Sequence, residues 1–554
     1  MRHYINLPLK VLVKLIDLIN VRKVIWLVTL IVIMSASLRL HQLNTRPAGL
    51  FGDEAADGLD ALKIIAGHRP IFLTENNGRE PLHAYLVALS INILGRTPAA
   101  VRFPSALAST LTVLGIFLTT QSITSTRIAL IASIISGFTV WPIMLGRLAT
   151  RPALLPFFLS ITLWLAIEAY KRKNNKYWIL SGLLLGICIY TYTPIRLLIL
   201  FPVLCLPILI ISRIRRRIMI GVVYFFLSFV ITISPFIVYT INNQDQVLGR
   251  TTGVSIIDLN DDHSETLNIL TSQTKTVLQM FSVPGKGDWN LRHNIPNRPV
   301  FDPLITTVFI LGLIVAPIKL GRHKFILVSI YALLSILPTI LSEEAPHYGR
   351  ASGLLPVLFI FPALGIWWIN NRLNKFTTRF IATFTSSAII GGSILITTHD
   401  YYLKDYLSQP NTGFWFDEQC TTAATEVNNF TGSGWQIDGP VTFDVDISGS
   451  DKMVFVAANV CPQYSSSGYY TLQFLVPMNL GSSLQFQRYS LDSLPNLDSL
   501  ANDLLFLCIP GDEETLLPWL QEDYNISIHD GPWTPPDKLG KSWLVYRSLY
   551  ATSK

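Results

Sequence analysis

Long apolar runs joined by short polar connections fill residues 1–398, and the pattern changes after them. A helix crossing roughly 30 Å of hydrocarbon needs about 17 to 25 residues. Runs of that kind lie at 24–40, 99–121, 127–146, 152–170, 177–193, 195–212, 218–241, 303–319, 324–342, 352–369 and 379–398. They predict eleven spans. Pro81–Gly95 is apolar too, but at about 1.5 Å per residue it reaches only about 22 Å as a helix. From residue 399 onward the runs are short and strand-like (VTFDVDI, KMVFVAANV, DLLFLCI, WLVYRSL), mixed with helical stretches and Gly/Pro/Ser turns. That region predicts a soluble α/β domain over 399–554.

Composition supports the membrane assignment. Of 554 residues, 50% are hydrophobic and 14% charged, against about 25% charged in soluble chains. An ordinary cytosolic enzyme, a disordered chain and a basic-patch nucleic-acid binder are excluded, so no nucleic-acid partner is expected. The net charge of +7 takes its meaning from where the charges sit. The connections KRKNNK (171–176), RIRRR (213–217), KLGRHK (319–324) and NNRLNKFTTR (370–379) carry no acid, and the amino-terminal arm is basic too. All face the cytoplasm, as the positive-inside rule asks, if Pro81–Gly95 lies on the membrane surface rather than across it.

The cytoplasmic amino terminus then leads into a transmembrane domain, 1–398, whose outer segments include a first loop (41–98) and a long loop (242–302). The tail, with 19 Asp+Glu against 7 Lys+Arg, falls outside the cytoplasm. The fold class expected is a polytopic α-helical membrane protein with surface helices in the first outer loop and a C-terminal extracytoplasmic α/β domain. The long basic arm favours an uncleaved anchor over a signal peptide, despite SAS at 35–37. Cys420, Cys461 and Cys508 leave room for one disulfide of unread pairing.

No ionisable side chain sits mid-span, where a transporter or flippase would need one. Reactive groups crowd the outer loops instead. Asp53 and Glu54 open a short amphipathic stretch in which Ala56, Leu59, Leu62 and Ile65 share a face. The pair suits a helix N-terminus, and equally a general base or metal ligand at the membrane surface. Arg79 and Glu80 precede Pro81, as an exposed pair capping the surface helix or as ligands of a phosphate and a sugar hydroxyl. Three outer turns repeat an arginine theme: GRLATRP with Arg147 and Arg151, YTYTPIR with Tyr190, Tyr192 and Arg196, and EEAPHYGR with His347, Tyr348 and Arg350. Each arginine alone reads as a snorkelling anchor. As a set they run against the positive-inside bias and suit an anionic ligand. In GDWNLRHNIPNRPVFDPL the reactive groups are Asp288, Arg292 and His293; an ordered turn into the next span explains them equally well.

Over about residues 20–370 this ordered set resembles the polytopic lipid-linked-sugar glycosyltransferases of the membrane C superfold. It most resembles glycosyltransferase family 39, which includes protein O-mannosyltransferases and aminoarabinose transferases. The likeness rests on Asp53-Glu54 after the first span, REPLHAY, Arg147/Arg151, YTYTPIR and PHYGRASGLLPV. The family's usual basic-Pro-Pro segment stands here as Arg79-Glu80-Pro81, a departure that leaves the role of Glu80 open. The resemblance implies a bacterial inner-membrane enzyme that takes a polyprenyl-phosphate sugar from the outer leaflet and passes the sugar, with inversion, to an acceptor of unread identity. It casts Asp53 as general base with Glu54 orienting it. Arg79, Arg147, Arg151, Arg196, Arg350 and His347 would hold the donor phosphate. Glu80, Tyr190, Tyr192, Asp288, Arg292 and His293 would contact substrate. No cofactor is required; a divalent cation at the carboxylates stays open. A transporter and a non-catalytic envelope scaffold are the alternatives.

Overall fold

The computed structural model describes residues 6–75, 78–211, 216–253, 255–256, 263–376, 379–400, 406, 410–437, 452–457, 460, 467–477, 486–494, 503–534 and 541–554. The chain divides into two compact units. One takes the described residues of 1–41, 105–146 and 151–399, the other those of 42–104, 147–150 and 400–554. The first outer loop therefore groups with the tail.

The first unit is helical, and the protein is a multi-pass membrane protein. Among the described residues eight helices are long and apolar enough to cross a membrane, and Thr126–Phe138 with Val140–Arg147, bent by 55°, makes a ninth. The other two expected spans are shorter. Run 177–193 is the 14-residue helix Asn175–Cys188, and run 195–212 is Ile195–Leu198 followed by Leu200–Ile211. The break falls at Tyr190 to Pro194, uncharged residues that interrupt the helix with no charge to mark it.

Two devices hold the bundle. Helices Pro303–Leu320 and Ile360–Phe376 meet through reciprocal glycines. A Cβ on Gly312 would lie 1.7 Å from the Phe361 carbonyl oxygen, and one on Gly365 would lie 2.0 Å from that of Val308. Close backbone approach replaces the hydrophobic drive that lipid removes. Buried Arg39, at the end of the first helix, donates to Ser109 Oγ (2.8 Å), Ser35 Oγ (2.6 Å) and the Gly137 carbonyl (2.9 Å). A buried guanidinium needs such partners to offset its desolvation, and these tie three helices.

The second unit has a five-stranded sheet with strands β1 (Lys452–Ala457), β2 (Phe486–Tyr489), β3 (Asp503–Cys508), β4 (Tyr524–Asp530) and β5 (Arg547–Ser553), in the order β2-β1-β3-β5-β4. β1 pairs in parallel with β2 and β3, while β5 runs antiparallel to β3 and β4. β3 is central and covered, which is why DLLFLC reads as an unbroken apolar run with Leu504 to Cys508 fully buried. The expected α/β class is present, with helices Glu418–Thr431 and Ser467–Leu475 beside the sheet in sequence. Three details differ from expectation. The WLVYRSL strand starts later, at Arg547. β4 (YNISIHD) was not anticipated, because its outer residues are exposed and polar, as suits an edge. VTFDVDI lies outside the described residues. So does Cys461; Cys420 is buried, and Cys508 is a buried free thiol.

Candidate active site

Helix Gly52–Ile65 begins after Phe51, and its first turn separates the two expected carboxylates. Glu54 is 1% exposed. Its Oε1 accepts from Arg102 Nε (2.9 Å) and from the Ala149 N–H (2.8 Å). Its Oε2 accepts from Arg102 Nη2 (2.9 Å) and from the Phe51 N–H (3.1 Å). Four donors fill the roughly four lone-pair sites that a carboxylate offers. Glu54 therefore has no oxygen left to take a substrate proton. Arg102 completes its own fork on the carbonyls of Leu43 and Pro47, each at 3.0 Å, and on that of Gly49. The clamp fixes the turn that carries Asp53, whose side chain is exposed. A second acid, Asp417, accepts from the Gly52 N–H at 2.8 Å.

The same helix buries two acids that the sequence reading passed over. Asp57 and Asp60 both hold Arg79, and Asp57 also meets His83 Nδ1 at 2.8 Å. Burial raises the Asp60 pKa above the usual carboxylate range against the pull of Arg79. Burial also opposes the charge on Arg79, yet Asp57, Asp60 and Asp53 outweigh it and raise its pKa. A short antiparallel bridge joins Leu73 to Arg79, so the ion pair ties that bridge to the helix. Glu80, next in sequence, is 1% exposed. Arg79 and Asp57/Asp60 thus act on the REP segment as a positioning network. The signal was present as Asp53, Asp57 and Asp60 at helical spacing and Arg79/His83 four apart; their pairing is not local and could not be read.

The covered face is wider than the expected Ala56, Leu59, Leu62 and Ile65. Ala56 is buried and Leu59 and Leu62 pack against the core beside covered Ala55, Gly58, Ala61 and Ile64, while Ile65 at the helix end is 43% exposed. Gly58 allows close packing, for a Cβ there would lie 2.5 Å from the Phe474 ring of helix Ser467–Leu475. Arg147, in the same unit, is 1% exposed and donates Nη2 to the Arg46 carbonyl at 2.7 Å.

In the helical unit, Arg151 and Tyr192 come together, with the guanidinium 5.9 Å from the ring centre, a cation–π distance. Tyr190 packs edge-on to Phe236 and donates its hydroxyl to the Thr232 carbonyl (3.0 Å). Arg196 Nη1 reaches the Val247 carbonyl at 3.2 Å.

A third group joins the long loop to the 343–351 turn. Asp288, 2% exposed, accepts from the Asn290 N–H (2.9 Å) and the Tyr348 N–H (2.8 Å). The His293 and His347 rings lie against each other, tilted by 40° with centroids 4.4 Å apart. Arg350 donates to Ser342 Oγ (2.7 Å) and the Glu343 carbonyl, and its N–H approaches His347 Nδ1 at 3.3 Å. Arg292 lies within this turn, its N–H on Asn290 Oδ1 at 3.0 Å. Burial works against the Asp288 charge, but His293, His347 and the Tyr348 N–H hold its pKa below the usual range. Burial, with His293 and Arg350 adding to it, pushes the His347 pKa well down.

Comparison with known proteins fits this architecture. Residues 78–240 match the family model described as dolichyl-phosphate-mannose-protein mannosyltransferase. No curated protein sequence matches the chain. Among solved structures, ArnT from Cupriavidus metallidurans bound to undecaprenyl phosphate superposes with a TM-score of 0.52 at 12% identity, over 95% of this chain and 97% of that one. The archaeal oligosaccharyltransferase AglB from Archaeoglobus fulgidus, in complex with an inhibitory peptide and a dolichol-phosphate, superposes at 0.50 and 12% identity, over 96% of this chain and 74% of that one. The chain shares the fold of these two structures.

Proposed function

We propose that the protein transfers a sugar from a polyprenyl-phosphate donor to an acceptor hydroxyl at the outer face of the bacterial inner membrane, with inversion. The observation that carries this reading is the division of labour at the start of helix Gly52–Ile65. Glu54 is saturated by four donors while the neighbouring Asp53 stays exposed. A general base must reach the proton it takes, and Asp53 is the carboxylate of the pair that meets that need.

In the proposed reaction Asp53 removes the acceptor O–H proton. The oxygen forms a bond to the anomeric carbon from the face opposite the phosphate, and the carbon–oxygen bond to phosphate breaks. The bonding pair leaves on the polyprenyl phosphate, where charge grows and fixed cations are most useful. Arg151 and Arg196 fill that role, with Arg147 and Arg350 as further cations of the outer turns. Arg79, held by Asp57 and Asp60, positions the REP segment with its buried Glu80. Tyr192 lies beside Arg151 at cation–π distance. The donor set at 53–54 does not suit a divalent cation, since every Glu54 oxygen already accepts, so no step runs through a metal there. Undecaprenyl phosphate in the ArnT structure and dolichol-phosphate in the AglB structure support the lipid class of the donor.

The test is binding of undecaprenyl phosphate to the purified protein, read by thermal stabilisation. Wild type should be stabilised, and Arg151→Ala should weaken binding at least tenfold. Unchanged affinity would return Arg151 to the role of membrane anchor.

A further inference from the structure

We propose that Asp288, His293 and His347 form a site for one divalent transition-metal ion of the zinc class, which clips the long loop to the turn before the Ser352–Lys375 span. A carboxylate oxygen of Asp288 and one ring nitrogen from each histidine lie within 4.8 Å of one another. Two imidazoles and a carboxylate form a donor set that zinc takes, leaving a fourth position for water.

The separation of the groups distinguishes a metal site from a hydrogen-bonded cluster. His293 Nδ1 stands 3.6 Å from Asp288 Oδ2, too long for a hydrogen bond. A tetrahedral ion with bonds of about 2.0–2.2 Å holds its ligand atoms about 3.3–3.6 Å apart, which matches. His293 Nδ1 is also sealed from solvent and makes no hydrogen bond, with only the 3.6 Å approach of Asp288 beside it. A buried nitrogen left without a hydrogen bond is costly, and a bound ion would satisfy it. The two imidazole rings are tilted by 40° with centroids 4.4 Å apart, and a nitrogen of each lies within 4.8 Å of the other and of the Asp288 oxygen. The 3.3 Å approach of the Arg350 N–H to His347 Nδ1 is near the long limit and competes weakly for that nitrogen.

The supporting groups resemble those that orient metal ligands. The Asn290 and Tyr348 N–H groups fix the Asp288 carboxylate. Asn294 Nδ2 bonds the Asp288 carbonyl (3.0 Å) and the Arg298 carbonyl (2.7 Å), and Tyr348 donates its hydroxyl to the same Arg298 carbonyl at 2.9 Å. A Cβ on Gly287 would lie 1.8 Å from that carbonyl oxygen, so the turn closes tightly around its acid.

The test uses the full chain in detergent, stripped with a chelator and titrated with Zn2+ or Co2+. Wild type should bind one equivalent, show the visible absorption of tetrahedral Co2+, and gain thermal stability with Zn2+. His293→Ala and His347→Ala should each lose the Co2+ spectrum and bind Zn2+ at least about tenfold more weakly, since even outer-shell partners contribute that much. His323→Ala, an exposed histidine elsewhere, should match wild type. Absence of stoichiometric binding or of Zn2+ stabilisation in wild type would overturn the proposal, even if the variants misfold. An unchanged Co2+ spectrum in a folded His293→Ala or His347→Ala protein would overturn it too.

Discussion

Replacing Glu54 by glutamine should destabilise the protein without abolishing the chemistry of its folded fraction. The carboxylate receives four donors, two from Arg102 and two from backbone N–H groups. Glutamine keeps the shape but turns one acceptor oxygen into an NH2 group, so two of the four donors would face a donor. The Arg102 charge, fully buried, would lose its counterion. Removing one partner of a buried pair costs about 3–5 kcal/mol. Arg102 keeps its three carbonyl acceptors, which favours the lower end, about 3 kcal/mol. That is roughly a hundredfold in the folding equilibrium. Adding Arg102→Met should recover most of the loss, because no charge is then left unpaired. The assay is unfolding of the detergent-solubilised protein for wild type, both single variants and the double variant, read as a double-mutant cycle, with turnover measured below the transition. Wild-type stability in Glu54→Gln, or a fully folded Glu54→Gln protein with no turnover, would refute the assignment of Glu54 as a clamp.

Two further outcomes follow from the second unit. Gly58→Ala should cost about 1–3 kcal/mol by overpacking, since its methyl would meet the Phe474 ring; Phe474→Leu should relieve part of this in an unfolding assay. The Glu513 carboxylate accepts from the Gly511 N–H at 2.6 Å and pairs with Arg547. Burial opposes its charge, but the backbone N–H groups and Arg547 prevail and lower its pKa. An acid lowered in the folded state stabilises above its unfolded pKa and loses that contribution as pH falls through its folded one. Stability should therefore drop on acidification below the ordinary glutamate range, and Glu513→Gln should flatten that part of an unfolding-versus-pH curve.

Much of this fold is written in composition. The long apolar runs mark the spans because lipid demands length and hydrophobicity together. They fail at 177–212, where the Tyr190–Pro194 turn breaks the helix with uncharged residues and no charge marks the break. The parallel core strands announce themselves as unbroken runs, whereas the polar edge strand Tyr524–Asp530 does not. At the site, local spacing made Asp53, Glu54 and the outer arginines visible. Pairing was not visible. Arg102 finds Glu54 at a distance of 48 residues along the chain, and Arg79 finds Asp57 and Asp60 at 22 and 19. Such long-range partners decide which carboxylate of the pair is buried in holding the fold and which lies exposed.

The central claim is that Asp53 takes the acceptor proton. Asp53→Asn preserves shape and removes only the basic oxygen, so it should fold and bind undecaprenyl phosphate like wild type. The decisive measurement is sugar transfer from a polyprenyl-phosphate donor by purified wild type and Asp53→Asn side by side. The account predicts transfer by wild type and a loss of about 10²-fold or more in the variant, the scale of general-base catalysis; transfer by Asp53→Asn at the wild-type rate would contradict it.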